Sequence, residues 1–203
     1  MIDELLTRNK QYAQTFPGAA PVAPALHLAV VACMDSRLDV HGVLGLKIGD
    51  AHVMRNAGGI VTDDMIRSLV ISQRLLGTRE IILIHHTDCG MLKFTEDEMK
   101  DAIEADTGLR PPWATEAFTS LDRSVRNSIA RLRKSPFVPY NDRIRGFVFD
   151  VSTALLREVD LALPSRRLIA IAVAATTERI LIRLASVRPR HRATGIRRGI
   201  GAG

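Results

Sequence analysis

Aromatic side chains are scarce: one Trp, two Tyr and six Phe make up 4% of the 203 residues. That leaves little material for stacking unpaired bases, which argues against a platform for single-stranded nucleic acid. Long apolar runs are missing too. The longest, Leu168 to Ala175, covers eight residues, whereas a membrane-spanning helix needs about 20. The opening MIDELLTRNKQYAQTF is polar and carries acids, so it lacks the basic start and apolar stretch of a secretory signal. A soluble, cytoplasmic chain without a membrane partner is expected. Cysteine is limited to Cys33 and Cys89. Disulfides are rare in that compartment, so the two are read first as free thiols.

Lysine is absent from the last 53 residues, which hold ten Arg and three acids, a net +7. The first 150 residues carry 18 basic and 19 acidic side chains, a net −1. The overall charge of +6 therefore belongs to the tail, and a basic nucleic-acid-binding surface on the body is not expected. With 46% hydrophobic residues, the length suits one cored domain. We place that domain at residues 1–161 and read residues 162–203 as an Arg-rich, disordered extension, within which residues 176–187 have the spacing of an amphipathic helix.

What is present is an alternation of apolar runs and helical patterns. Ile2, Leu5, Leu6 and Tyr12 recur at helical spacing. Residues 26–32 form an apolar run ending at Cys33, without the alternation of a half-exposed strand, as expected for a parallel strand buried on both faces. A short helix over 39–44, a strand over 51–54 ending at Arg55 and a turn at Asn56-Ala57-Gly58-Gly59 follow. Thr62 is the expected cap of a helix running to Leu76 and stopping at Gly77. Residues 80–85 read as a third strand, ending at His86. Helices are expected over 92–105 and 113–132, and further strands over 144–151 and 155–159. The sum is an α/β fold with a mostly parallel sheet of four to five strands flanked by helices.

In open sheets of this kind ligands bind beyond the carboxyl ends of the strands. Cys33, Arg55, and His86 with Cys89 lie at three such ends. Thiolate and imidazole are zinc ligands, and three protein ligands with no third cysteine leave a position open, the mark of a catalytic site. Zinc there would generate hydroxide at neutral pH. Asp35, two residues after Cys33, is held ionised by neighbouring Arg37 and would orient the water. His85 should face the opposite side of its strand. His27, His41 and His52 are read as structural or exposed, with His41 a weak candidate for moving protons. Gly58 and Gly59 permit a tight turn and match no phosphate-binding pattern.

Cys33-Met34-Asp35-Ser36-Arg37, Arg55-Asn56-Ala57-Gly58 and His86-Thr87-Asp88-Cys89-Gly90, in this order, resemble the C-x-D-S-R, R-N-A-G and H-x-x-C-G motifs of the β-class carbonic anhydrases, small bacterial type. The resemblance covers about residues 1–160. It implies reversible hydration of CO₂ to bicarbonate by one Zn²⁺ per subunit, held by Cys33, His86 and Cys89. Asp35 and Arg37 would act as the catalytic pair, and Asp35 would ligate the metal in a closed state. It also implies a homodimer or homotetramer in which the N-terminal helix wraps a neighbour. Some small members instead hydrolyse carbonyl sulfide or carbon disulfide. Others bind regulatory bicarbonate through a Trp three residues before the first cysteine, where this chain has Val30. A third reading is non-enzymatic: a zinc-stabilised module permanently closed by Asp35, with the tail binding a partner.

Overall fold

The computed structural model describes residues 1–161, so the expectations for residues 162–203 lie outside the described residues. Helix α1 (Ile2–Thr15) precedes strand β1 (Leu28–Cys33), helix α2 (Val40–Leu44), strand β2 (Ala51–Asn56) and a 3₁₀ turn at Ala57–Gly59. Then come α3 (Asp63–Leu76), β3 (Glu80–His86), a second 3₁₀ turn at Gly90–Leu92, α4 (Glu96–Thr107), α5 (Leu121–Lys134), β4 (Ile144–Phe149) and β5 (Leu156–Glu158).

The sheet order is β2-β1-β3-β4-β5. The first four strands pair in parallel and β5 closes antiparallel onto β4. Every residue from Ala29 to Cys33 is buried, as are Ile81, Leu83 and Ile84 on β3. These unbroken apolar runs exist because both faces of the sheet are covered. Each fully buried Val, Leu or Ile contributes about 1.5–3 kcal/mol relative to exposure. Helix α5 turns Val125, Ile129 and Leu132 inward, and Gly146 lets it approach β4. A Cβ at Gly146 would fall 2.2 Å from Val125 Cγ1.

Caps place the helices. Thr62 accepts from Met65 N and Gly77 takes the left-handed conformation at the end of α3, as expected from sequence. Helix α4 begins at a capping box between Thr95 and Glu98. The helix expected over 113–132 starts eight residues later. Ser120 caps α5 by accepting from Arg123 N, and Glu116 has a φ of 60° that no α-helix accommodates. Residues 113–116 instead line one side of the chamber described below.

Helix α1 buries none of its residues. Ile2, Leu5, Leu6 and Tyr12, with Phe16 just beyond, are exposed. Among the described residues no helix is long and apolar enough to cross a membrane.

Candidate metal centre and chamber

Strand β1 lies between β2 and β3, so successive connections leave it in opposite directions and open a crevice at its carboxyl end. Cys33 is the last residue of β1 and His86 the last of β3. The chain then turns sharply. Asp88 adopts a left-handed φ of 53°, a conformation Asp tolerates better than most residues, and Cys89 comes back beneath His86. The turn is tied to the end of β4: Thr87 N donates to Phe149 O at 2.9 Å, and Val151 N donates to Thr87 Oγ1 at 3.0 Å.

Cys33 and Cys89, 56 positions apart, thereby bring their sulfurs to 3.9 Å. Two thiolates about 2.3 Å from one tetrahedral ion stand about 3.8 Å apart. The ligand atoms of Cys33, His86 and Cys89 all lie within 4.8 Å of one another, and all three residues are buried. His86 Nδ1 donates to Thr87 O at 2.8 Å. That bond fixes the tautomer and leaves the Nε2 lone pair free. Nε2 is buried and has no hydrogen-bond partner, a costly arrangement that a metal ion would satisfy. The donor set and its geometry fit zinc. In the cysteine pair the hydrogen bond with Cys89, then the His86 imidazole and the main-chain N–H groups of Asp35 and Gly58, favour the Cys33 thiolate and pull its pKa down. Cys89 is pushed up, because the same bond to Cys33 and burial both favour its thiol.

Asp35 is clamped by Arg37. Its Oδ1 accepts from Arg37 N and Nε, each at 2.9 Å, and its Oδ2 accepts from Nη2 at 2.8 Å. This two-pronged contact holds the carboxyl well below the usual carboxylate range. Arg37 also reaches Asp88, through Nη1 to Oδ2 at 3.1 Å and Nη2 to the carbonyl at 3.2 Å. One guanidinium thus joins the segment after β1 to the turn after β3. Asp35 Oδ2 lies 3.6 Å from His86 Nε2, beyond hydrogen-bonding range.

Gly59 accounts for the tight passage from β2 to α3. Its φ is +68°, and a Cβ there would lie 2.8 Å from Cys33 N and 3.0 Å from Ile84 O. Only glycine lets this turn press against the metal-bearing strands.

Above the three ligands is a cavity of 660 Å³. Asp35, Asn56 and Gly58 line its base, while Met91, Phe94, Met99, Ile103 and Trp113 make an apolar wall. Sequence reasoning missed this wall. Its signal was slight: Met99 and Ile103, four apart on an otherwise acidic helix.

The other histidines lie elsewhere. His85 is fully buried on the opposite face of β3, where its Nε2 meets Ser124 Oγ at 3.0 Å. Burial drives its pKa down to about 4, so it is neutral. His27 Nδ1 donates to Gly77 O at 2.9 Å, and His52 Nδ1 pairs with Ser72 Oγ at 2.8 Å. His41 is exposed on α2.

A family model described as carbonic anhydrase matches residues 28–156. The chain is 57% identical over 157 residues to beta-carbonic anhydrase 1 of Mycobacterium tuberculosis, an alignment covering 77% of this chain and 96% of the relative. It is 34% identical over 182 residues to a carbon disulfide hydrolase of Acidianus sp., covering 77% and 88%. Its fold matches the crystal structure of carbonic anhydrase from Streptococcus mutans with a TM-score of 0.75 at 44% identity, covering 78% of this chain and 97% of that one.

Proposed function

The chain belongs to the β-carbonic anhydrase family, zinc lyases that hydrate CO₂ reversibly to bicarbonate and a proton, and we propose that Cys33, His86 and Cys89 hold its zinc while Asp35, fixed by Arg37, orients the attacking water. What carries this reading is the buried, unpartnered Nε2 of His86 beside two sulfurs, with a clamped carboxylate 3.6 Å away. When bound, the ion lowers the pKa of a water molecule from 15.7 to about 7.

The chain's own residues do the rest. Arg37 engages both oxygens of Asp35, yet a carboxylate has about four lone-pair sites. Oδ2 therefore keeps acceptor capacity toward the ligand cluster. Because Arg37 keeps Asp35 ionised, it accepts a hydrogen bond and does not donate one. An O–H group placed there is held with its lone pair turned away from Asp35, toward the chamber. The wall of Met91, Phe94, Met99, Ile103 and Trp113 offers no charge, which suits a small linear uncharged substrate and not its anionic product.

Substrate choice follows the same reasoning. Zinc-loaded protein should turn over CO₂ at least about 100-fold faster than carbonyl sulfide or carbon disulfide, an energy difference near 2.7 kcal/mol. Stopped-flow indicator assays on CO₂ beside sulfide-release assays measure it, and a reversed ratio would make the chain a sulfur-substrate hydrolase.

The assembly is read as a homodimer or homotetramer. A 14-residue helix with no buried residue and an exposed apolar stripe is marginal on its own, and a second copy would cover it. Deleting residues 1–16 should shift the sedimentation coefficient toward that of the monomer; an unchanged value would remove α1 from the interface. A cytoplasmic location is proposed because both thiols must stay reduced to hold the ion.

A further inference from the structure

We propose that Arg55 is a positioning residue for the metal centre: its guanidinium holds the main chain of residues 33–35 so that the Cys33 sulfur and the Asp35 carboxylate face one point. The proposal rests on the roles given above to those two side chains.

Strand β2 pairs with β1 in the register Ala32 to Arg55 and Cys33 to Asn56. There β1 ends, and the next residues leave the sheet. Met34 N still donates to Asn56 O at 2.9 Å. The carbonyls on either side of it have no further strand to pair with, and Arg55 supplies their donors. Its Nε donates to Cys33 O at 2.9 Å and its Nη2 to Asp35 O at 2.6 Å. Three consecutive residues are therefore held from the end of β2.

The choice of side chain matters. A guanidinium presents its N–H groups in a rigid planar fork, so it fixes the spacing between two carbonyls as well as binding each. Among the described residues Arg55 forms no ion pair. Its charge strengthens main-chain hydrogen bonds.

The adjoining turn presses from the other side. Asn56 Nδ2 donates to Ile60 O at 2.8 Å and Asn56 Oδ1 accepts from Ile60 N at 2.9 Å. That closes the loop which sets Gly59 against Cys33 N and directs Gly58 N–H at the Cys33 sulfur. Arg37 then aims the Asp35 side chain, while Arg55 sets the backbone from which it projects. The two arginines act on different atoms of the same residue.

The test uses the full-length chain, loaded with zinc for kinetics and with cobalt(II) for visible spectroscopy. Arg55→Ala should retain one metal per chain and lower kcat/KM for CO₂ by about 10- to 100-fold, the usual cost of losing an outer-sphere support. The cobalt bands should shift, and added guanidinium should restore part of the rate. Arg55→Lys, which offers no fork, should recover only part of the loss. Wild-type kinetics with an unshifted cobalt spectrum in either variant would overturn the proposal. Should Arg55→Ala fail to fold, Arg55→Lys alone decides: an activity within twofold of wild type overturns it, and a larger loss with shifted bands supports it. Asp35→Asn measured alongside separates the two claims. If that variant keeps full turnover, the functional reading falls; if it loses turnover while the Arg55 variants do not, only this proposal falls.

Discussion

Cys33→Ala is expected to lose the zinc ion and CO₂ hydration together. The three ligand atoms converge from two strand ends and one turn, and Cys33 is the only one contributed by β1. Removing it leaves one thiolate and one imidazole, too few to hold an ion that favours four ligands. Full zinc binding in small proteins is worth about 10–16 kcal/mol. Loss of one ligand in three should therefore weaken affinity on the order of 10³-fold or more. The sheet should survive, because Cys33 is a small member of the core cluster and its main-chain bonds to β2 remain. Atomic absorption after dialysis and stopped-flow hydration at neutral pH measure the two effects. Stoichiometric zinc with undiminished turnover would refute the ligand assignment.

Asp35→Asn separates metal binding from chemistry. The substitution preserves shape and leaves all three ligands untouched, so zinc content should stay at one per chain. It removes the negative charge that Arg37 engages through three hydrogen bonds, and it can present an NH₂ group where an acceptor is required. Turned the other way, its carbonyl could accept that O–H only by aiming the NH₂ group at the Arg37 N and Nε donors, so neither orientation satisfies both sides. Loss of one preorganised electrostatic contact of this kind typically costs about 10²–10³ in rate, and kcat/KM should fall by that order. Because Arg37 keeps the carboxyl well below the ordinary carboxylate range, titration of Asp35 itself does not shape the wild-type rate near neutral pH. An unchanged rate in the variant would remove Asp35 from the mechanism.

The pattern of these residues in sequence already carried most of the centre. Two uninterrupted apolar runs ending at Cys33 and His86 located parallel strands, and the rule that ligands gather at strand carboxyl ends brought the ends together. The structure places the sulfurs at 3.9 Å from positions 56 apart in the chain. The same reasoning placed His85 on the opposite face, where it meets Ser124. Thr62 and Gly77 marked α3 at both ends because their capping roles are local.

What escaped the sequence depended on tertiary contacts. Residues 113–120 carry enough apolar and helix-forming side chains to continue a helix, but Ser120 caps α5 and Glu116 takes a left-handed turn. Trp113 consequently faces the chamber, and Phe118 stacks near His85 with ring centroids 5.5 Å apart. The apolar wall was illegible for a related reason. Met99 and Ile103 look isolated on α4, and only the folded chain sets them opposite the metal ligands. The need for glycine at position 59 comes from the backbone of two neighbouring strands, which no local pattern displays.

X-ray absorption at the zinc edge of the native, full-length chain tests the central claim most directly. Two sulfur scatterers at about 2.3 Å and two lighter nitrogen or oxygen scatterers at about 2.0–2.2 Å are expected for Cys33, His86, Cys89 and one further position. A shell without sulfur, or with one sulfur or more than two, would contradict it.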